Sequence, residues 1–388
     1  MPRGSEDRPP DVVVLGATGS IGSQTIEVAS ALGLRITALG ARSPSAKLAD
    51  LAVAHPEARV LVAGGAADER AEFEQRVGRP VEFGADAVVD GARAPGAVVV
   101  NGIVGAAGLR ATIAGLESGN RVALANKESL VAGGPVVKAA LSEHGGELIP
   151  VDSEHSALLQ CLAGEPPESV ARLILTASGG PFRGRPVESL AEVTPHEALA
   201  HPTWDMGPRI TVDSATLFNK GLEVIEAHHL FDVDYDRITV LVHPQSILHS
   251  AVEFVDGSWK GHLGHPDMRI PIQYALTAPE RAPSPARPFD LAGMDLTFET
   301  PDIESFPAIA LAYAAGREGG SSPAVLNAAD EVAVAAFLDH RLGFLGIAEV
   351  VAATLEAAEW RPVQTVDDVI EADREGREIA ASFIAGAC

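Results

Sequence analysis

The segment Val151-Asp152-Ser153-Glu154 sets two carboxylates on either side of a serine, behind the apolar run Leu148 to Val151. If the chain stays extended there, Asp152 and Glu154 point to the same side. Two carboxylates so placed suit a hard divalent cation, Mg2+ or Mn2+, with Co2+ as a third option. On its own an Asp-x-Glu is as readily a solvated turn. A second cluster, from Asp213 to Glu223, reads as entering a helix from about Ala215 to His229. On that helix Asn219, Lys220 and Glu223 share a face, because residues three and four apart are neighbours. A lone Lys/Glu pair is commonly just a surface ion pair. Here Ser214 and Asn219 add hydroxyl and amide donors that a phosphate would use beside the Lys220 charge.

Three further segments have chemical potential. The apolar run Val12 to Leu15 enters Gly16-Ala17-Thr18-Gly19-Ser20-Ile21-Gly22 and then a helical stretch. Gly16 permits a tight turn, Gly19 lets backbone amides approach a pyrophosphate, and Gly22 lets helix and strand pack closely. A purely structural glycine turn is the alternative. The second strand, Arg35 to Leu39, leads to Gly40-Ala41-Arg42-Ser43 with no acid to take a ribose 2′-hydroxyl. Arg42 suits a 2′-phosphate instead, which favours NADPH over NADH; the alternative is an exposed loop cation. Thr176-Ala177-Ser178-Gly179-Gly180-Pro181 offers an anion amides and the Ser178 hydroxyl. His201-Pro202-Thr203-Trp204-Asp205-Met206-Gly207 carries Trp204 and Met206 as either an apolar lid that excludes water or core packing.

The elements that must position these residues follow from the hydrophobic pattern. Between Asp11 and about residue 150, runs rich in β-branched residues (VVVLG, RITALG, ARVLVAG, AVVVNGI, RVALAN) alternate with helical stretches. That is the pattern of buried parallel strands in a doubly wound, Rossmann-like α/β domain, here residues 1–151. Residues 152–278 mix short strands (ARLILTA, ITVLVHP, HSAVEFV) with helix and read as a central α+β catalytic domain. Residues 279–301 open with four prolines in ten residues and read as a linker. Residues 302–388 hold successive alanine-rich amphipathic segments, the pattern of a C-terminal helical bundle.

Composition excludes several functions. With 388 residues, 46% hydrophobic and 21% charged, the chain is a multidomain globular protein. Its 29 basic and 53 acidic residues give a net charge of −24, which repels nucleic acid and anionic lipid. Any anionic ligand therefore needs a local basic site. The two cysteines, Cys161 and Cys388, are no disulfide scaffold and fit a reducing cytoplasm. The polar leader MPRGSEDRPP reads as no secretory signal, and no run approaches the ~20 apolar residues of a membrane span.

Taken in order, GATGSIG (16–22), GIVGAAGL (102–109), ALANKESLV (123–131), PVDSEHSALLQ (150–160), ASGGPF (177–182), HPTWDMG (201–207), VDSATLFNKGLEVIEA (212–227), HPQSILHS (243–250) and GHPDMRIPIQYAL (264–276) resemble the 1-deoxy-D-xylulose 5-phosphate reductoisomerase family of the non-mevalonate isoprenoid pathway. The resemblance implies a V-shaped homodimer with an NADPH domain, a catalytic domain and a helical domain. It also implies rearrangement of a phosphosugar, by retro-aldol cleavage and aldol rejoining, to an aldehyde that NADPH reduces to 2-C-methyl-D-erythritol 4-phosphate.

On this resemblance Asp152, Glu154 and Glu223 match metal ligands, while Ser178, Ser214, Asn219 and Lys220 match the phosphate cradle, with His201 beside it. Lys127 and Ser153 match contacts to the substrate's oxygens. Thr18, Gly19, Ser20, Ile21, Asn126, Glu128 and Gly207 match cofactor contacts, joined by Arg42 and Ser43 from the loop after the second strand. Trp204 and Met206 fall on the mobile lid. There are two departures: Arg42-Ser43-Pro44 replaces the usual glycine, basic residue and asparagine, and Asp330 stands where asparagine is usual.

Rival classes lack their chemistry. A semialdehyde dehydrogenase needs a cysteine nucleophile with a histidine partner, and Cys161 sits in an ordinary helical stretch. A short-chain reductase needs Tyr-x-x-x-Lys, which none of Tyr235, Tyr274 and Tyr313 begins. An NADPH-binding sensor would have lost a metal carboxylate or Lys220, and all are present.

Overall fold

The computed structural model describes residues 10–200 and 206–387. Those residues form two compact units. The first, residues up to 126 with 139–151 and 268–286, is built on a seven-stranded sheet. Its strands are β1 (Val12–Leu15), β2 (Ile36–Ala41), β3 (Arg59–Val62), β4 (Glu82–Phe83), β5 (Val98–Asn101), β6 (Arg121–Leu124) and β7 (Glu147–Pro150). Every neighbouring pair is parallel and the order is β4-β3-β2-β1-β5-β6-β7. β1 and β5 are buried along their whole length, which is why they read as uninterrupted apolar runs. Beyond β1 the order reverses, since β2 lies on one side and β5 on the other. Ligands of such sheets bind at this switch point.

Three strands escaped the periodicity. β4 is two residues long, too short for a pattern, and β7 carries the polar Glu147 and a closing Pro150. The third belongs to the second unit, residues 127–138, 152–267 and 287 onward. Its mixed sheet has the order β11-β10-β8-β9, with β8 (Val170–Ala177), β9 (Ile238–Val242), β10 (Leu248–Phe254) and β11 (Trp259–Leu263). β11 is exposed at its start and had no hydrophobic face to betray it.

Helices Ala308–Glu318, Ser322–Leu338, Phe344–Ala357 and Val366–Ala387 occupy the four alanine-rich segments. Leu326, Ala329, Phe337, Phe344, Val351 and Ile384 share one core with Leu173 and Leu175 of β8. Residues 279–301 hold no helix, and their only strand pairing among the described residues is a bridge from Glu299 to Val242. None of the described helices is long and apolar enough to cross a membrane.

The helix expected from Ala215 to His229 is two helices, Pro208–Thr216 and Phe218–Phe231. They break at Leu217, whose φ of 65° is left-handed. Ser214 thus lies on one helix, and Asn219, Lys220 and Glu223 on the next.

Candidate active site

In the first unit the glycine turn has the shape its glycines imply. Gly16 adopts φ +86°, and a Cβ there would lie 2.7 Å from the Gly102 carbonyl carbon. A Cβ on Gly22 would meet the Gly16 carbonyl oxygen and lie 2.6 Å from Ala17 Cα. Gly19 is the N-cap of helix Ser20–Ala31 and, like Ser20, is exposed, so the amide end of the helix opens outward. Asn126, buried, donates to Ile103 O at 2.7 Å and Gly105 O at 2.9 Å, holding the loop after β5. Arg42 and Ser43 are exposed directly after β2.

In the second unit, Asp152 and Glu154 do not lie on an extended segment, and the expected same-side geometry does not apply. Asp152 is the N-cap of helix Ser153–Leu162, its Oδ1 accepting from Glu154 N at 3.0 Å and His155 N at 3.4 Å. The carboxylates converge by another route. Glu154 sits in the first turn, and Glu223 reaches in from helix Phe218–Phe231. One oxygen from each of Asp152, Glu154 and Glu223 lies within 4.8 Å of the other two.

Two lysines stand among these acids. Lys127 Nζ donates to Asn219 Oδ1 at 2.6 Å and Asp152 Oδ2 at 3.1 Å, and lies 3.4 Å from Glu223 Oε1. Lys220 Nζ donates to Glu223 Oε2 and lies 3.6 Å from Glu154 Oε2. Asn219 Nδ2 donates to Glu223 Oε1 at 2.6 Å, and Ser153 Oγ to Glu154 Oε1 at 3.0 Å. Burial works against the charge of both lysines, yet Asp152 and Glu223 around Lys127, and Glu154 and Glu223 around Lys220, raise their pKa values. They are fixed ammonium donors. Burial likewise works to raise the Asp152 pKa, but Lys127 and His155 hold it well below the usual carboxylate range. At Glu154 burial prevails over Lys220 and pushes the carboxyl up to about 8.

Ser178 lies at the mouth of a turn in which Gly179 and Gly180 both take positive φ. Gly180 packs so closely on the end of helix Pro208–Thr216 that a Cβ would lie 3.0 Å from Ala215 Cα. The turn that carries Ser178 thus packs, through Gly180, against the backbone of Ser214. Gly207 caps that helix and Met206 is half-buried before it, while His201 and Trp204 lie outside the described residues. Glu128 is bound by Arg209 Nη1 at 2.8 Å.

The motifs did not single out His155, Glu226 or the Arg209 network. His155 Nδ1 lies 3.0 Å from Asp152 Oδ1 and 3.4 Å from Glu226 Oε2, and its Nε2 is 2.9 Å from the Glu223 carbonyl oxygen. Burial works to lower its pKa, but Glu226 and Asp152 outweigh it and raise the imidazole to about 9. Doubly protonated, it ties the cap of one helix to the backbone of the other. The spacing signal was there: His155 is three residues after Asp152, and Glu226 three after Glu223. Arg209 also reaches Glu331 Oε1 at 2.8 Å, Asn327 Oδ1 at 3.0 Å, Asp330 Oδ2 at 3.4 Å and Asp213 Oδ2 at 3.5 Å; only Asp213, four residues on along the same helix, is linked to it by a local pattern.

Comparison with known proteins places this geometry. Residues 12–134 match the family described as 1-deoxy-D-xylulose 5-phosphate reductoisomerase, 148–231 its C-terminal domain, and 263–379 the family described as DXP reductoisomerase C-terminal domain. The 1-deoxy-D-xylulose 5-phosphate reductoisomerase of Heliobacterium modesticaldum is 50% identical over 380 residues, covering 96% of this chain and 97% of that protein. The structure of the Zymomonas mobilis enzyme in complex with NADPH superposes with a TM-score of 0.90 at 43% identity, covering 97% of this chain and 99% of that one. A DOX-P reductoisomerase in complex with NADPH, fosmidomycin and magnesium gives a TM-score of 0.91 at 37% identity, with 97% and 98% covered.

Proposed function

From the premise that this chain belongs to the 1-deoxy-D-xylulose 5-phosphate reductoisomerase family, we propose that the Asp152, Glu154 and Glu223 cluster is its reaction centre. The enzyme is an NADPH- and metal-dependent oxidoreductase acting on 1-deoxy-D-xylulose 5-phosphate, and on this reading its product is 2-C-methyl-D-erythritol 4-phosphate. The observation that carries the reading is the convergence of three carboxylates from two helices within 4.8 Å, with Lys127 and Lys220 between them.

The residues fit both partners. An all-carboxylate donor set suits Mg2+ or Mn2+, and the glycine turn, crowded at Gly16 and Gly22, presents the N-terminus of helix Ser20–Ala31 to a pyrophosphate. When bound, the metal supplies a Lewis acid and NADPH a hydride. The protein's part is positional. Asp152, Glu154 and Glu223 hold the metal, and His155 locks Asp152 against the Glu223 backbone. Lys127, kept charged by its acid neighbours, donates to a substrate oxygen, with Ser153 beside it. Ser178, Ser214, Asn219 and Lys220 cradle the phosphate, joined by His201. Thr18, Gly19, Ser20, Ile21, Arg42, Ser43, Asn126, Glu128 and Gly207 contact the cofactor, and Trp204 and Met206 belong to a lid over the site.

The same reading takes the working form as a homodimer in the cytoplasm. Three domains, 1–151, 152–278 and 302–388 after the 279–301 linker, remain its functional division, which limited proteolysis would test. Mixing protein, NADPH, Mg2+ and 1-deoxy-D-xylulose 5-phosphate should make the nicotinamide absorbance fall, and a chelator should stop it. No fall with intact protein overturns the proposal.

A further inference from the structure

Lys47 is a cation at the start of a helix, held against the glycine turn by neutral groups. Ser45 caps helix Ala46–Ala54, its side chain accepting from Leu48 N at 3.2 Å. That puts Lys47 in the first turn, where the positive end of the helix dipole disfavours a cation. Its side chain does not turn away to solvent. Nζ donates to Thr18 O at 2.8 Å and to Ser23 Oγ at 2.7 Å, and Ser23 Oγ in turn donates to Gly19 O at 2.8 Å. The ammonium is thus tied to the glycine turn itself. Both of its partners are neutral, and among the described residues no carboxylate pairs with it. An ammonium has three donors, so one N–H is left over on an exposed group. The two neutral anchors fix the ammonium and leave its charge uncompensated.

Its location gives the charge a use. In a dinucleotide-binding sheet the ribose next to the adenine lies between the glycine turn and the exit of the second strand, and a basic residue there accommodates a 2′-phosphate. Lys47 bridges these two segments, five residues after Arg42, which leaves β2 exposed and makes no side-chain hydrogen bond among the described residues. We propose that Lys47 is a specificity-determining residue: its ammonium, preset on Thr18 and Ser23, binds the 2′-phosphate of NADPH, and it supplies an anchored charge to which the exposed Arg42 adds a second. This rests on the reading of the Gly16–Gly22 turn as the dinucleotide site.

The test is binding of NADPH and of NADH to the full-length protein, read by nicotinamide fluorescence without substrate or metal. Lys47→Met keeps the stem and removes the charge. It should weaken NADPH binding about tenfold, the worth of one charge-assisted hydrogen bond, and leave NADH binding unchanged. Lys47→Arg should restore most of the loss. Ser23→Ala, which removes an anchor and keeps the charge, should preserve the preference for NADPH. Equal weakening of both dinucleotides by Lys47→Met would mean that the residue only staples the turn, and would overturn the proposal; so would an unchanged NADPH affinity. Wild-type protein that binds neither dinucleotide would instead remove the glycine-turn reading, and this inference with it.

Discussion

Replacing Asp330 with asparagine should make the protein more stable at neutral pH but not in acid. Asp330 is fully buried on helix Ser322–Leu338, its Oδ2 3.4 Å from Arg209 Nη2, and Asp213 is buried against the same guanidinium. The Oδ1 atoms of both carboxylates are buried, and among the described residues neither accepts a hydrogen bond from another group's N–H or O–H. One arginine faces Asp213, Asp330, Glu128 and Glu331, and Glu331 also has Arg377. Burial, opposed by Arg209, raises Asp330 from 3.8 to about 6, and burial together with Asp330 raises Asp213 well above the carboxylate range. The acids therefore retain protons that an unfolded chain would have lost.

Below pH 3.8 Asp330 is protonated folded or unfolded and contributes no pH dependence. As the pH rises from about 4 to 6 the unfolded state ionises first, and stability is lost through that window. At roughly 1.4 kcal/mol per unit, the two-unit shift costs about 3 kcal/mol once the pH exceeds 6. An asparagine amide can donate as the protonated acid does and has no proton to lose. Asp330→Asn and wild type should therefore unfold alike in urea near pH 4, with the variant's advantage growing to about 3 kcal/mol by pH 7 and then levelling. Taking the difference between the two proteins cancels the acids that do not feel Asp330, while Asp213, relieved of that neighbouring charge, is raised less in the variant and shifts the difference in the same direction. A gap that stays constant from pH 4 to 7, or narrows, would refute the argument.

Glu223→Gln keeps the shape of a fully buried side chain and removes one anion from the cluster; it should abolish metal-dependent turnover and leave NADPH affinity intact, and undiminished activity would sink the metal assignment. Arg42→Ala should raise the KM for NADPH about tenfold, the loss of one charge-assisted contact, with little change for NADH; equal effects on both would remove its role. Gly22→Ala drives a methyl group into the Gly16 carbonyl and should cost about 2 kcal/mol or more by overpacking, read as a lowered thermal midpoint together with weaker NADPH binding; a variant as stable as wild type would contradict the close approach.

What could be read in advance was what local chemistry decides. The glycine turn is one: Gly16 needs a positive φ and Gly22 tolerates no Cβ, so the residue types carry the geometry. The buried strands are another, because β1 and β5 must be apolar on both faces. On helix Phe218–Phe231 the neighbourhood of Asn219, Lys220 and Glu223 follows from helical spacing alone. Local reasoning failed where a local alternative competed. Asp152 serves as a helix cap rather than a strand residue, a choice its own side chain makes by accepting from the next turn's amides. Leu217 breaks a run that helical periodicity would continue.

The rest was decided only by the tertiary structure, because it joins groups far apart in the chain. His155 finds Glu226 and the Glu223 backbone, Lys127 finds Asn219, Lys47 returns to Thr18, and Arg209 gathers acids from Glu128 to Glu331. Charge in a buried site depends on how much water is removed and which opposite charges remain within a few ångströms. Neither quantity exists until the chain has folded, so the sequence could name the carboxylates and lysines while the fold alone set which of them hold protons.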